Sequence, residues 1–328
     1  FGTGDFGRGA FDFIDFLHRS GQQYWQILPL SVTSALTHYS PYGSESAFAG
    51  NTHFIDPSHL ADSGLLQPDQ FLPWKLPETE RADYPAADRI KRSMLDLAFA
   101  RFRRDPPAGM KERFAEYRER ESYWLRDYAL YRTLKNHFGG RPWFEWPAVY
   151  RNRKAGALSE FSRHNAEPID RIQFEQFIFS EQWARIKEYA HEKGIRIFGD
   201  IPIYIDRDSS DLWAHPHLFL LNPDRSPKAL AGVPPDYFNE EGQLWGMPLY
   251  DWEAMEQENY RWWITRLEKN LQWYDLLRLD HFRGFEAYWE VPTGERTAKN
   301  GRWIRGPGEK LFDAIQRRFP HMPFVAED

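Results

Sequence analysis

Strand-like apolar runs that end in polar residues recur along this chain, and helical patterns separate them. The runs cover 24–30, 195–205, 275–282 and 324–327. Apolar side chains fall at helical spacing over 9–20 (Phe11, Ile14, Leu17) and over 171–193 (Ile172, Phe177, Ile178, Ile186, Tyr189). Gly21 and Gly194 follow these two as C-terminal stops. Further helices are predicted over 252–273 and 308–319, the latter carrying Leu311, Phe312, Ile315 and Phe319. Strand-helix alternation of this type predicts an α/β fold built on a parallel sheet covered by helices. Residues 75–170 interrupt the rhythm. They are rich in Arg, Glu and aromatic residues, show helical patches over 88–103 and 111–137, and read as a mostly helical insertion.

The charge balance argues against nucleic acid and anionic membranes as partners, since 48 acidic residues outnumber 42 basic ones. No apolar run approaches the roughly 20 residues that span a bilayer. The chain has no cysteine, which removes disulfides and thiolate metal sites and fits a reducing cytoplasm. Its eleven His show no H-E-x-x-H spacing, so a catalytic zinc is not expected. Gly2-Thr3-Gly4-Asp5-Phe6-Gly7 has the spacing of a dinucleotide-binding turn. No acidic residue ends a second strand some 20 positions later, where Ile27-Leu28-Pro29-Leu30 stands, so that match is discarded.

In parallel α/β proteins chemistry gathers at the C-terminal ends of strands. Here those ends carry Asp200-Ile201-Pro202-Ile203-Tyr204, Arg278-Leu279-Asp280-His281 and Glu327-Asp328. Period-two geometry aims Arg278 and Asp280 at one face of their strand. A neighbouring cation lowers a carboxyl pKa, so Asp280 is expected to be ionised, as a retaining glycosidase nucleophile must be. A lone R-x-D is more often a structural ion pair. Glu327 follows the apolar Phe324-Val325-Ala326, which is expected to desolvate its carboxyl and keep it protonated; taken alone it reads equally as a solvated residue at a strand end. One charged and one protonated acid is the division of labour between nucleophile and general acid.

Several loops are suited to a glycan. Ser40-Pro41-Tyr42-Gly43-Ser44 is a turn that presents the Tyr42 ring. A long aromatic loop is expected from Gly232-Val233-Pro234-Pro235-Asp236-Tyr237-Phe238 to Leu244-Trp245-Gly246-Met247-Pro248. His281 is either a substrate hydrogen-bonding group or a satisfied structural histidine.

Five ordered segments resemble the motifs of one family, the 4-α-glucanotransferases called amylomaltase or disproportionating enzyme (glycoside hydrolase family 77). They are Ser40-Pro41-Tyr42 with Ser46-Ala47-Phe48-Ala49-Gly50-Asn51; Gly199-Asp200-Ile201-Pro202-Ile203-Tyr204; Gly232 to Phe238 with Trp245-Gly246; Arg278 to Gly284; and Ala326-Glu327-Asp328. The resemblance implies a (β/α)8 barrel related to the α-amylases, with residues 1–74 and 171–328 in the barrel and 75–170 inserted. It implies Asp280 as nucleophile, Glu327 as general acid/base, and Arg278 as the group that orients Asp280 and keeps it ionised. Tyr42, Asp200, Asp236, Trp245 and His281 match substrate-binding positions.

The implied reaction moves α-1,4-glucan segments from a donor to a glucose or maltooligosaccharide acceptor, without cofactor or metal. A hydrolase of α-amylase type and a non-catalytic glucan-binding module are the alternatives. Oligomeric state is left open, with a monomer favoured. Met247 stands where the family more often has Asn. The family's third carboxylate, an Asp, is expected beyond position 328. The chain is accordingly expected to hold the first half to two-thirds of the barrel and to show no useful turnover alone.

Overall fold

The computed structural model describes residues 1–77 and 80–327. Asp328, the last residue of the Ala326-Glu327-Asp328 motif, lies outside the described residues. Among those described, the strands are β1 (Tyr24–Gln26), β2 (Arg196–Ile201), β3 (Ala229–Val233), β4 (Gln243–Pro248), β5 (Leu276–Leu279), β6 (Ala287–Pro292), β7 (Arg302–Arg305) and β8 (Phe324–Ala326). They form two four-stranded sheets, ordered β1-β2-β5-β8 and β4-β3-β6-β7.

The first sheet holds the four strands foreseen from the apolar runs, and β2/β5 and β5/β8 pair in parallel. Alternation explains how β5 serves two environments. Leu277 and Leu279 are buried, while Arg278 points to the opposite face. Each strand is shorter than its apolar run for a local reason. Pro202 follows β2 and has no N–H for a ladder. His281 adopts φ 49°, a left-handed conformation that ends extended backbone just after β5.

The second sheet corrects the expectation of a long aromatic loop. Much of that segment is the antiparallel pair β3/β4, and β3 also pairs antiparallel with β6, which pairs with β7. The helix expected over 252–273 is two helices, Trp252–Gln257 and Arg261–Trp273. Asn259 and Tyr260 break it with φ of 52° and 55°.

The chain divides into two compact units. The first comprises residues 1–25, 49–137 and 155–197. Its long helix Ala166–Glu192 packs against helices Arg8–Arg19, Tyr84–Arg104, Met110–Arg120 and Ser122–His137. Phe174 at its centre stacks on Phe102 with ring centroids 4.8 Å apart, and Phe99, Phe114 and Phe177 complete the cluster. Gln176 clamps the backbone of Gly50 and Gln182 that of Asp56, each accepting from an N–H and donating to a carbonyl.

The second unit comprises residues 26–48, 138–154 and 198–328. Its aromatic core includes Tyr204, Tyr250, Trp262, Trp263 and Phe285. Within it Arg266, 3% exposed, donates to the carbonyls of Pro202 at 2.7 Å and Ile203 at 3.2 Å. Tyr250 donates to the same Ile203 oxygen at 2.8 Å. The segment leaving the C-terminal end of β2 is thus fixed from below by a buried cation and a phenol.

Candidate active site

Strand register, more than sequence distance, assembles the polar cluster. Asp200 on β2 lies opposite Arg278 on β5, and Arg278 lies opposite Val325 on β8. Opposed residues of parallel strands share a face, so Asp200 and Arg278 meet directly. Arg278 Nη1 donates to both carboxylate oxygens of Asp200, at 2.8 and 2.7 Å. Its Nη2 lies 3.0 Å from Asp280 Oδ1 and 2.6 Å from Glu327 Oε1. The hydroxyl of Tyr42 donates to Asp200 Oδ2 at 2.7 Å.

The backbone continues the ladder past the strand ends. The Asp280 N–H donates to the Ile201 carbonyl at 3.0 Å and the Glu327 N–H to the Leu279 carbonyl at 3.1 Å. The left-handed turn at His281 aims its own N–H at Glu327 Oε2, 2.6 Å away. One layer below, Gly199 leaves room for the ring of Tyr274, whose hydroxyl accepts the Leu30 N–H at 3.0 Å.

The electrostatics correct the expected division of protons. Burial pushes the Asp280 carboxyl up, the negative charge of Glu327 adds to it, and Arg278 offsets only part, leaving Asp280 at about 6. Glu327 moves the other way. Burial still disfavours its charge, but the His281 N–H and the Arg278 guanidinium outweigh that and hold it below the usual range. The desolvation expected at Glu327 is present, but it does not keep the proton there. Arg278 is shared among three carboxylates, so it does not selectively ionise Asp280.

The two acids also perturb each other's titration, and both lie on the same nitrogen, Arg278 Nη2. Arg278 is raised: burial opposes its charge, and the bonds and charge of Asp200 overcome that. Burial and the Asp200 carboxylate push the Tyr42 phenol up to about 12.

A cavity of about 360 Å³ opens beside Asp280, lined by Tyr42, Pro202, Ile203, Tyr204, Trp245, Met247 and Asp280. The Trp245 ring meets the His281 imidazole edge-on at 4.9 Å. Burial lowers the His281 pKa, so the ring is neutral at neutral pH. Its Nε2 is buried with no hydrogen-bond partner among the described residues. Six of the expected site positions, Tyr42, Asp200, Trp245, Arg278, Asp280 and His281, are linked by these contacts, and Glu327 joins them.

Asp236 does not line the cavity. It sits in the β3/β4 connection, where its Oδ1 accepts the N–H groups of Phe238 at 2.8 Å and Asn239 at 2.7 Å. Pro202, Ile203, Tyr204 and Met247 were not foreseen as lining residues. The first three sit just past the end of β2, where that signal was available.

A parallel sheet that brings two acids and a guanidinium to its C-terminal edge is suited to carboxylate chemistry on a glycoside. The chain belongs to glycoside hydrolase family 77, whose sequence pattern, described as 4-alpha-glucanotransferase, matches residues 1–328. It is 45% identical over its whole length to a 4-alpha-glucanotransferase of Aquifex aeolicus, covering 66% of that protein. It is 46% identical to one of Thermus thermophilus, covering 64% of it. Among solved structures, the amylomaltase from Streptococcus agalactiae in complex with acarbose superimposes with a TM-score of 0.94 at 39% identity. That match covers all of this chain and 66% of the other. The chain thus spans just under two thirds of the length of these relatives. The fold is that of the amylase-type (β/α)8 barrel family, as expected.

Proposed function

We propose that the protein is a retaining 4-α-glucanotransferase that moves α-1,4-glucan segments between maltooligosaccharide, starch or glycogen chains in the cytoplasm. The observation that carries this reading is the joint hold of one guanidinium nitrogen, Arg278 Nη2, on Asp280 and Glu327. In this reading a carboxylate oxygen of Asp280 attacks the anomeric carbon. The glycosidic C–O bond breaks, and the leaving 4-oxygen takes the proton of Glu327. An acceptor 4-hydroxyl then gives its proton to Glu327, its oxygen attacks the same carbon, and the Asp280 ester breaks.

The first step needs the proton of the pair on Glu327 and the charge on Asp280; the second needs Glu327 deprotonated, as the first step leaves it. The shared contact of both carboxyls with Arg278 Nη2 keeps them close enough for that exchange, and a sugar entering between them would part the pair. His281 Nε2 and the Trp245 ring would meet a glucose unit, and Asp236 would support the β3/β4 connection beside it. Residues 75–170 serve in this reading as the helical insertion beside the catalytic barrel.

Incubation with maltotriose tests the proposal. A transferase yields glucose together with a ladder of longer maltooligosaccharides. Shorter sugars alone would identify a hydrolase, and no product would leave only glucan binding. Acarbose, bound in the similar Streptococcus agalactiae amylomaltase, is expected to inhibit.

A further inference from the structure

The reaction as proposed uses the acids at the strand ends and leaves one buried acid without a role. Asp211 is 4% exposed, in the first turn of the short helix Ser210–Ala214. Burial pushes its carboxyl up, and the bond from the Ala47 N–H is the largest influence acting against that. A carboxyl in such a place is costly unless its oxygens are bonded. Its Oδ2 accepts the Ala47 N–H at 2.9 Å and the Ser210 hydroxyl at 3.3 Å. One residue back, the Ser210 N–H donates to the Glu45 carbonyl at 2.8 Å. The start of the helix thus grips the backbone of Glu45 and of Ala47.

Tyr42 stands shortly before these residues, and the chain between them has little slack. The Ser44 hydroxyl donates to the Ser46 carbonyl at 2.8 Å and accepts the Ser46 N–H at 3.2 Å. Ser46 Oγ in turn accepts the Phe48 N–H at 3.1 Å. Hydroxyls bonded to nearby backbone hold a turn in one conformation. At Gly43 an added Cβ would lie 2.9 Å from the Thr37 side chain, so the segment next to Tyr42 is closely packed. A displacement of Ala47 is therefore passed along the loop to Tyr42, whose hydroxyl sits 2.7 Å from Asp200 Oδ2.

We propose that Asp211 is a positioning residue: by holding the Ala47 amide it sets the Tyr42 hydroxyl against Asp200, the carboxylate that grips Arg278. The inference rests on the transferase reading, in which Arg278 orients Asp280 and Glu327. Asp211 itself does not line the cavity, so it acts only through the loop.

The test is kcat/KM on maltotriose, measured with the protein at its natural length in the parent and in a Tyr42→Phe background. Asp211→Leu keeps the branched shape and removes the acceptor. It is expected to lower kcat/KM about tenfold in the parent. Beside Tyr42→Phe, where the hydroxyl it positions is already gone, the further loss should be less than about twofold. Asp211→Asn keeps an oxygen for the Ala47 N–H and is expected to stay within about threefold of the parent. Where Asp211→Leu does not fold, Asp211→Glu takes its place with the same expectation, since the added methylene displaces the acceptor oxygen. Equal losses in the two backgrounds overturn the proposal, because a residue that only supports the fold is additive with Tyr42→Phe. Parental kcat/KM in the displaced or acceptor-free variant overturns it too. So does an Asn variant as impaired as the Leu variant, since charge rather than the Ala47 bond would then be responsible. A parent that forms no sugar longer than maltotriose instead overturns the transferase reading, and the two backgrounds are then compared by their rate of cleavage.

Discussion

Arg278 and Glu327 form an ion pair of 2.6 Å between Nη2 and Oε1, across adjacent parallel strands β5 and β8. The same nitrogen holds Asp280, and the other terminal nitrogen holds Asp200. One side chain thus sets the positions of three acids. A planar fork is needed for this, and lysine cannot replace it. Arg278→Lys is expected to lower kcat/KM by about a hundredfold or more, and Arg278→Ala to destabilise the fold by about 3 kcal/mol. Steady-state kinetics and urea denaturation check the two.

Asp280→Asn removes the proposed nucleophile without changing its shape. Transfer should fall at least about a thousandfold, while binding of maltotriose, followed by tryptophan fluorescence, survives. Retained transfer would assign the nucleophile elsewhere.

Asp280 also makes stability depend on pH. Its folded pKa of about 6 lies above the unfolded value of 3.8. Between these values the folded state holds a proton that the unfolded chain has released, so stability falls as pH rises through the window. Below it the carboxyl is protonated in both states and contributes nothing. Above it the charged form carries a penalty on the order of 2 kcal/mol. Asp280→Asn is therefore expected to be more stable than the parent at neutral pH and equal to it near pH about 3.5. Denaturation midpoints at the two pH values measure the difference. An Asn variant of unchanged or lower stability at neutral pH would contradict the raised pKa.

Tyr42→Phe deletes a single hydroxyl, the donor to Asp200 Oδ2. Asp200 Oδ2 then keeps only its bond from Arg278. The expected loss is about tenfold in kcat/KM, with little change in stability.

Arg266→Leu acts at a distance from the reacting atoms. It strips two carbonyl acceptors of a buried donor, leaving Pro202 without its bond and Ile203 with only Tyr250. Destabilisation of about 2 to 4 kcal/mol is expected. Activity should fall too, because Pro202 and Ile203 form part of the cavity wall.

The parallel sheet was legible because β2, β5 and β8 are apolar runs with polar ends. Spacing two residues apart was enough to bring Arg278 and Asp280 together. The second sheet was not legible in β3, whose Ala229-Leu230-Ala231-Gly232-Val233 carries little strand signal of its own. Its pairing comes from β6, about 60 residues away, where Ala287-Tyr288-Trp289-Glu290-Val291 does carry that signal. The bond between Asp200 and Arg278 depends on register, which sequence does not display. The misplaced proton has the same origin. Glu327 is desolvated as its apolar approach suggested, but the His281 N–H and the Arg278 guanidinium that outweigh this reach it only through the left-handed turn and the strand register. Asp236 carried a family motif, yet its carboxylate is occupied by two backbone amides of its own turn.

The space at Gly199 is filled by Tyr274, so even a methyl group there would overlap the phenol ring. Displacing that ring would release Leu30 and disturb the neighbouring Asp200, on which Arg278 depends. Even the smallest enlargement at residue 199 is therefore felt one layer up, in the positions of Asp200 and Arg278.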